Sequence, residues 1–199
     1  MKIFSFHHCD FFFSFVLIIY WSSKSKDQNK VLLVSSYVFY GAWDYRFLSL
    51  ILISTLIDFY VASYISKDNL RKRIYLCISI FVNLGLLSLF KYYGFFLESL
   101  SALLSLLGIG MRLPAIDLIV PVGISFYTFQ TMSYTIDVYK GKIKPIDNIY
   151  DFALYVSFFP QLVAGPIERS YNLIPQIKNL RYFNRVNLIE ASYLILYGL

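Results

Sequence analysis

Side chains that commonly bind metal ions occur in a run near the beginning of the chain. His7, His8, Cys9 and Asp10 are consecutive. A structural zinc site needs ligands that converge on one centre, typically about four of them, whereas adjacent side chains point in different directions. We therefore interpret this run as a polar N-terminal edge and predict no metal site.

Ser125 is a candidate nucleophile because it lies two residues after the small residue Gly123, in the segment Gly123–Tyr127. The G-x-S-x-G motif of hydrolases would need glycine where this chain has Tyr127. A serine nucleophile also needs a base, and the sequence contains no histidine after His8. The segment therefore favours close helix packing over nucleophilic catalysis.

Asp58 lies near the middle of a long apolar run. A charge at that depth in a membrane costs about 3 kcal/mol on insertion scales. We therefore expect Asp58 to face the interior of a helix bundle or a cavity, where it is paired or protonated. A structural hydrogen-bonding role and a functional role both remain open.

A second polar group surrounds the sequence Ala-Gly-Pro at residues 164–166. Gln161 precedes this helix-breaking sequence, and Glu168 and Arg169 follow it. A helix break beside charged residues within a membrane indicates a polar pathway, because irregular backbone there must be satisfied by protein or water. The alternative is a simple interfacial turn.

The composition places these residues in a membrane protein. The chain of 199 residues is 58% hydrophobic, 20% aromatic and only 15% charged, with a mean hydropathy of +0.59. Soluble domains average about 45–50% apolar and about 25% charged residues. The net charge of +6 comes from short basic clusters between apolar runs, which is a topology signal and does not predict nucleic-acid binding.

Five apolar runs are predicted to span the bilayer. A span needs about 20 residues, because about 30 Å of hydrocarbon is crossed at about 1.5 Å per residue. The second run is short, so either its flanks extend it or the bilayer is locally thin. The predicted spans lie near residues 3–22, 31–45, 47–65, 74–90 and 116–136.

Three further apolar segments are not predicted to cross. Residues 94–107 place their apolar side chains on one helical face and indicate a helix lying in the interface. Residues 149–166 end at the break and indicate a re-entrant segment buried in protein. From residue 186 a final apolar helix begins, which is either a short interfacial helix or one truncated at Leu199, and we expect a chain that is incomplete at its C-terminus.

The basic clusters predict the orientation. If the N-terminus is extracytoplasmic and all five runs cross, the clusters 24–30, 67–73 and 140–144 all lie in the cytoplasm. The positive-inside rule requires this arrangement. We therefore expect a multi-pass protein of the cell (plasma or inner) membrane, with the lipid bilayer as its main partner.

Several segments of the chain have the character of family motifs. They are Ser36–Trp43, Phe90–Tyr93, Pro121–Gln130, Tyr134–Gly141 and Phe158–Arg169. Together they resemble motifs of the membrane-bound O-acyltransferases (MBOAT), in particular the bacterial alginate O-acetyltransferase branch. They occur in the family's order and cover most of the chain from about residue 20.

The resemblance implies an all-α, multi-pass transmembrane fold with a central polar tunnel. It implies transfer of an acyl group, usually acetyl, to hydroxyls of a cell-surface polysaccharide such as alginate or another envelope polymer. The donor would be acetyl-CoA or an acyl-carrier thioester on the cytoplasmic side, with no bound cofactor, and an exported acyltransferase partner commonly completes the transfer. Candidate tunnel-lining residues are Asp58, Gln161, Gly165, Pro166, Glu168 and Arg169.

The resemblance also implies that the family's essential histidine lies beyond Leu199. His7 and His8 do not match that motif, so no catalytic residue is assigned in this chain. If only these residues are made, we expect no acyl transfer, because the proton carrier is missing. Two other hypotheses are a transporter or flippase-like protein and a non-catalytic membrane remnant. A transporter usually has paired helix breaks in two related halves, and the sequence shows one clear break.

Overall fold

The computed structural model describes residues 6–108, 120–165, 168–179, 181 and 184–198. About 81% of these described residues are helical, and none lies in a strand. A one-turn 3₁₀ helix at Tyr45–Phe47 joins α2 to α3. The helices are α1 (Phe6–Ser22), α2 (Gln28–Asp44), α3 (Leu48–Lys67), α4 (Lys72–Lys91), α5 (Tyr93–Leu106), α6 (Ile124–Tyr139), α7 (Ile149–Ser157), α8 (Phe159–Ala164), α9 (Ser170–Lys178) and α10 (Arg185–Gly198).

Within the described residues, two helical segments are long and apolar enough to cross a bilayer. They are Gln28–Lys67, which includes α2 and α3, and Lys72–Lys91, which is α4. Large apolar side chains also lie on the outside of the bundle, including Phe11 on α1, Phe81 on α4 and Leu106 on α5. Exposing this much apolar surface to water is unfavourable, whereas contact with lipid buries it in an apolar environment. The predicted fold class, an all-α membrane protein, is confirmed.

The core is formed where α3, α4 and α6 pack against one another and where α7 packs against α2, α3 and α9. Every residue of α7 from Phe152 to Ser157 is buried. The side chain of Asn148, the residue just before α7, accepts a hydrogen bond from the amide of Tyr150 at 3.0 Å and so caps the helix N-terminus. A helix of nine residues is too short to span a bilayer, and α7 is instead surrounded by protein.

The helices can be compared with the predicted spans. Helices α3 and α4 contain residues 48–65 and 74–90, and α2 extends the short second run back to Gln28. In the last predicted span, 116–136, the described residues 120–123 are not helical, and α6 begins at Ile124 after Gly123 in a left-handed conformation (φ 76°). Residues 116–119 lie outside the described part of the chain. Which of these helices cross the membrane stays a prediction.

The other three segments are also helical. Residues 94–107 fall almost entirely in α5, in which no residue is buried. Residues 149–164 form two helices, α7 and α8, separated at Phe158. The predicted terminal helix corresponds to α10. Their interfacial, re-entrant or truncated character remains a prediction.

Cys77 differs from its sequence-based expectation. Its position in an apolar run predicts that it fills the core, but the structure leaves it exposed on the surface of α4. The prediction was wrong because the exposed face of α4 is itself apolar, with Ile74, Ile78 and Phe81, so an apolar neighbourhood does not indicate burial.

Candidate functional site

Asp58 lies at the centre of a buried polar cluster that joins α3, α4 and α6. Its side chain has no solvent-accessible surface. Ser79 Oγ donates to Asp58 Oδ1, and Asn83 Nδ2 donates to Asp58 Oδ2 at 2.8 Å. Asn83 Oδ1 in turn accepts from Ser54 Oγ at 2.9 Å and from Thr131 Oγ1 at 3.3 Å. The prediction that Asp58 faces the bundle interior agrees with this geometry.

The cluster satisfies the carboxyl group without a cation. Each of its two oxygens accepts a hydrogen bond, and the side chain of Asn83 accepts and donates within the same cluster. Hydrogen bonds of this kind offset the cost of burying polar groups in an apolar environment. The geometry therefore favours a structural role for Asp58 over an open binding site.

The break between α7 and α8 forms a second polar group. Phe158 leaves the helical conformation (φ −54°, ψ 105°), and Pro160 follows near the beginning of α8. The amide of Phe159 donates to Ser36 Oγ of α2 at 3.2 Å. A side chain from another helix thus replaces a bond that a continuous helix would make with its own carbonyl.

The carbonyl on the other side of the break is satisfied in the same way. In a continuous helix the Tyr155 carbonyl would accept from the amide of Phe159, which is four residues later. It accepts instead from Gln130 Nε2 of α6 at 2.6 Å. Ser36 and Gln130 therefore provide the two hydrogen bonds that a helix break buried in protein requires.

The beginning of α6 lies against this break. A Cβ atom at Gly123 would lie 3.1 Å from the carbonyl oxygen of Leu162 in α8. The preceding carbonyl, of Val122, accepts a hydrogen bond from the Tyr40 hydroxyl of α2 at 2.8 Å. Glycine at position 123 thus permits both the left-handed turn and the close approach to α8.

The predicted tunnel-lining residues have different surroundings. Gln161 is buried on α8, whereas Glu168 and Arg169 are exposed just before α9. Gly165 ends α8, and a Cβ atom there would lie 2.7 Å from Gln161 Cα, so a larger residue does not fit. Pro166 lies outside the described residues. A tunnel lined by these residues stays a prediction.

The Asp58 cluster and the break between α7 and α8 both bond to α6, but their other partners differ. Asp58 bonds to α4, and the break bonds to α2 and α6. On α6, Gln130 reaches the break and the next residue, Thr131, reaches the Asp58 cluster.

The motif segments contact one another although they are far apart in sequence. Ser36 bonds to Phe159, and Tyr40 bonds to Val122. Lys91 Nζ donates to Ser125 Oγ at 3.0 Å. Ser125 therefore accepts a hydrogen bond from a lysine, and the expectation that it is not a nucleophile stays a prediction.

Sequence reasoning did not assign a role to several of the residues that hold the site together. Ser36 and Gln130 satisfy the break, and Ser170 Oγ donates to the buried Asp137 Oδ2 at 3.0 Å. The signal was present, since Ser36, Gln130 and Asp137 all lie in the motif segments, but the sequence does not show which backbone groups they meet.

Groups of three or more histidine, cysteine, aspartate or glutamate side chains that could hold a metal ion are absent from the described part of the chain. The side chains at residues 7–10, where the sequence has its metal-ligand types, lie outside that part. The prediction of no metal site there stays a prediction.

Comparisons with known proteins agree with the motifs. The chain is 35% identical over 171 residues to a probable alginate O-acetylase of Pseudomonas putida, a match that covers 84% of this chain and 35% of that protein. It is 35% identical over 164 residues to a probable alginate O-acetylase of Pseudomonas aeruginosa, covering 81% and 31%. It is 31% identical over 196 residues to a peptidoglycan O-acetyltransferase of Helicobacter pylori, covering 84% and 36%. No family model and no solved structure matches the chain.

These matches define a class, the MBOAT-like membrane O-acetyltransferases, and the chain is homologous to its members over most of its own length. The resemblance inferred from the motifs is thereby confirmed. Within this class the relatives reported above are alginate O-acetylases and a peptidoglycan O-acetyltransferase. The chain spans about a third of the length of the curated relatives it matches.

Proposed function

We propose that the chain is part of a multi-pass, inner-membrane O-acyltransferase that transfers an acetyl group to hydroxyls of an envelope polysaccharide. The observation that carries this proposal is the homology with alginate and peptidoglycan O-acetyltransferases over most of the chain. Alginate O-acetylase and peptidoglycan O-acetyltransferase both denote acetyl transfer to a polysaccharide hydroxyl. The acceptor could therefore be alginate or another envelope polymer.

The residues of this chain would build one wall of the path that the acyl group follows. The break at Phe158 is hydrogen-bonded by protein side chains, so polar backbone can persist there within an apolar bundle. Gln161, Gly165, Pro166, Glu168 and Arg169 would line that path, with Asp58 supporting it from the neighbouring cluster. In the predicted orientation, with an extracytoplasmic N-terminus, the acyl group would enter this path from the cytoplasmic side.

Acetyl transfer from a thioester to a hydroxyl needs a group that removes the hydroxyl proton. The sequence has no histidine after His8 with which to do so. We therefore propose that these residues bind and orient the donor, acetyl-CoA or an acyl-carrier thioester, while the proton carrier lies in a further segment. An exported acyltransferase could then complete the transfer. The chain by itself would be inactive.

A chimeric enzyme tests the proposal. Residues 20–199 replace the aligned segment of the Pseudomonas aeruginosa alginate O-acetylase in a strain that lacks this protein, and the acetyl ester content of the secreted alginate is measured by infrared spectroscopy. We expect acetylation to return. The 199-residue chain alone, in the same strain, should restore none.

A matched pair of variants in the chimera tests the candidate residues. Glu168→Gln, just after the Ala-Gly-Pro sequence at residues 164–166, should lower the acetyl ester content. Glu98→Gln, on the exposed surface of α5, should not. Immunoblots of the membrane fraction confirm equal amounts of protein. A chimera that accumulates normally in the membrane but yields no acetyl ester would contradict the proposal.

A further inference from the structure

Two neighbouring cavities of opposite character meet at α9. A polar cleft of about 540 Å³ lies between the beginnings of α2 and α7 and the end of α9. An apolar groove of about 360 Å³ lies between α1, α8 and α9. Ile177 and Arg181 line both, so the two cavities adjoin at these residues.

The polar cleft is strongly basic. Lys26, Lys30, Lys178 and Arg181 line it, against one acidic residue, Asp151. Lys30 is paired with an aspartate before α2 at 2.8 Å, which leaves the other three cations without an ion pair among the described residues. The cleft is thus suited to an anion.

The acidic groups near the cleft are already engaged. The Lys30 ammonium lowers the pKa of Asp27, so this carboxylate stays ionised at neutral pH and compensates Lys30. Asp151 Oδ1 accepts from Asn29 Nδ2 at 3.0 Å. Neither carboxylate forms an ion pair with Lys26 or Lys178 in the described part of the chain.

Arg181 is held rigidly at the junction of the cleft and the groove. Its guanidinium donates to the Tyr20 hydroxyl at 3.0 Å, to Asn29 Oδ1 at 2.9 Å and to the carbonyls of Gln176 and Ile177 at 2.8 Å. All four partners are uncharged, so these bonds fix the position of the guanidinium without neutralising it. Such preorganisation favours binding of an anion.

The adjoining groove is lined by aromatic and aliphatic side chains. They include Phe13 and Leu17 of α1, Phe158 and Pro160 at the break, and Leu173 of α9. A polar molecule gains little from such a surface, whereas an acyl chain buries apolar area in it.

We propose that the cleft and the groove together bind one anionic phospholipid, with its phosphate at Lys26, Lys178 and Arg181 and an acyl chain along α1 and α8. Charge complementarity supports this proposal, as does the position of the apolar groove directly beside the basic cleft, with Ile177 and Arg181 lining both. Basic pockets between helices on the cytoplasmic side characteristically bind anionic head groups, and the predicted topology places Lys26 on that side. Phe158 and Pro160 line the groove, so the lipid would also contact the helix break between α7 and α8.

The probe is phosphatidylglycerol with brominated acyl chains, compared with brominated phosphatidylcholine. The sequence has two tryptophans, and Trp43→Phe leaves only Trp21, which contacts the groove residue Tyr20 with ring centroids 5.1 Å apart. The full chain, purified in detergent, is titrated with each lipid, and the bromine quenching of Trp21 fluorescence is recorded. We expect tighter binding of phosphatidylglycerol.

Variants separate a built site from general surface charge. Lys26→Gln with Lys178→Gln should lower the preference for phosphatidylglycerol about fivefold for each lysine removed. The control pair, Lys140→Gln with Lys144→Gln, lies in another basic cluster and outside the cleft, and it should leave the preference unchanged. Leu173→Phe, which narrows the groove, should weaken quenching by both lipids.

Three results would overturn the proposal. They are equal quenching by the two lipids, an equal loss of preference in both lysine pairs, and displacement of phosphatidylglycerol by soluble acetyl-CoA. The last result would assign the cleft to a soluble phosphorylated ligand. Because lipid binding is measured without any acyl transfer, its failure would not bear on the enzymatic function.

Discussion

At the scale of single residues, the cluster around Asp58 connects three helices through side-chain hydrogen bonds. Removing one partner from such a cluster leaves other buried groups unsatisfied, which costs more than the bond itself contributes. The stability of the bundle should therefore depend strongly on Asp58.

Asp58→Ala should lower the free energy of unfolding by about 1–3 kcal/mol, because Ser79 and Asn83 lose their acceptor. Unfolding in mixed micelles, titrated with sodium dodecyl sulfate, measures this change. The control is Asp147→Ala, since Asp147 is exposed. Equal stability of the two variants would show that the cluster contributes nothing to folding.

The bonds at the helix break are also individual and testable. Gln130→Leu removes the donor to the Tyr155 carbonyl, and Ser36→Ala removes the acceptor for the Phe159 amide. Each should destabilise the chain by about 1–3 kcal/mol, because a buried backbone group is left unsatisfied.

The control for these two variants is Ser105→Ala. Ser105 is exposed and bonds only locally, to the Ala102 carbonyl of its own helix. The same detergent titration should show little change for this variant. If Ser36→Ala and Ser105→Ala had the same effect, the break would not depend on α2.

At the scale of elements, the start of α6 is set by one glycine. Gly123→Ala should destabilise the chain by about 1 kcal/mol or more, because alanine is disfavoured at φ 76° and its Cβ would press on the Leu162 carbonyl. Gly94→Ala on α5 is the matched control, since nothing lies within 4 Å of a Cβ there. It should be neutral or stabilising, and thermal aggregation in detergent measures both. An equal loss of stability in the two variants would mean that the turn at Gly123 does not require glycine.

The sequence predicts the helices well where an apolar run is long and ends in charges. For α3 and α4, flanking charges such as Lys67 and Lys91 lie close to the helix ends. It fails to place the beginning of α6, because a left-handed glycine inside an apolar run changes the backbone without changing the hydropathy. The sequence also could not predict the two hydrogen bonds at the break between α7 and α8. Ser36 and Gln130 are distant from Phe159 in sequence, and only packing brings them together.

At the scale of the whole molecule, the orientation in the membrane determines which cavities face the cytoplasm. If all five predicted spans cross, the three main basic clusters lie in the cytoplasm only if α1 begins outside the cell. The polar cleft at α9 would then open towards the cytoplasmic leaflet. This arrangement connects the predicted topology to the proposed lipid site.

Cysteine labelling tests the orientation. In a background with Cys9→Ser and Cys77→Ser, the variants Lys26→Cys, Arg46→Cys and Lys142→Cys are exposed to a membrane-impermeant maleimide on intact cells. Only the variant at residue 46 should react, since it lies between two predicted spans on the outside. Permeabilised cells, in which all three should react, provide the control. Labelling at 26 and 142 but not at 46 would reverse the predicted topology.

The succession of Gln130 and Thr131 on α6 has a consequence for how the sequence can change. Neighbouring residues of an α-helix point about 100° apart, since a turn contains about 3.6 residues. Rotating α6 by the angle of one residue would therefore detach both side chains from their partners at once. Single-residue insertions or deletions before Gln130 should be far less tolerated than substitutions on the same helix, so the length of α6 and its phase around the axis are under stronger constraint than most of its individual side chains.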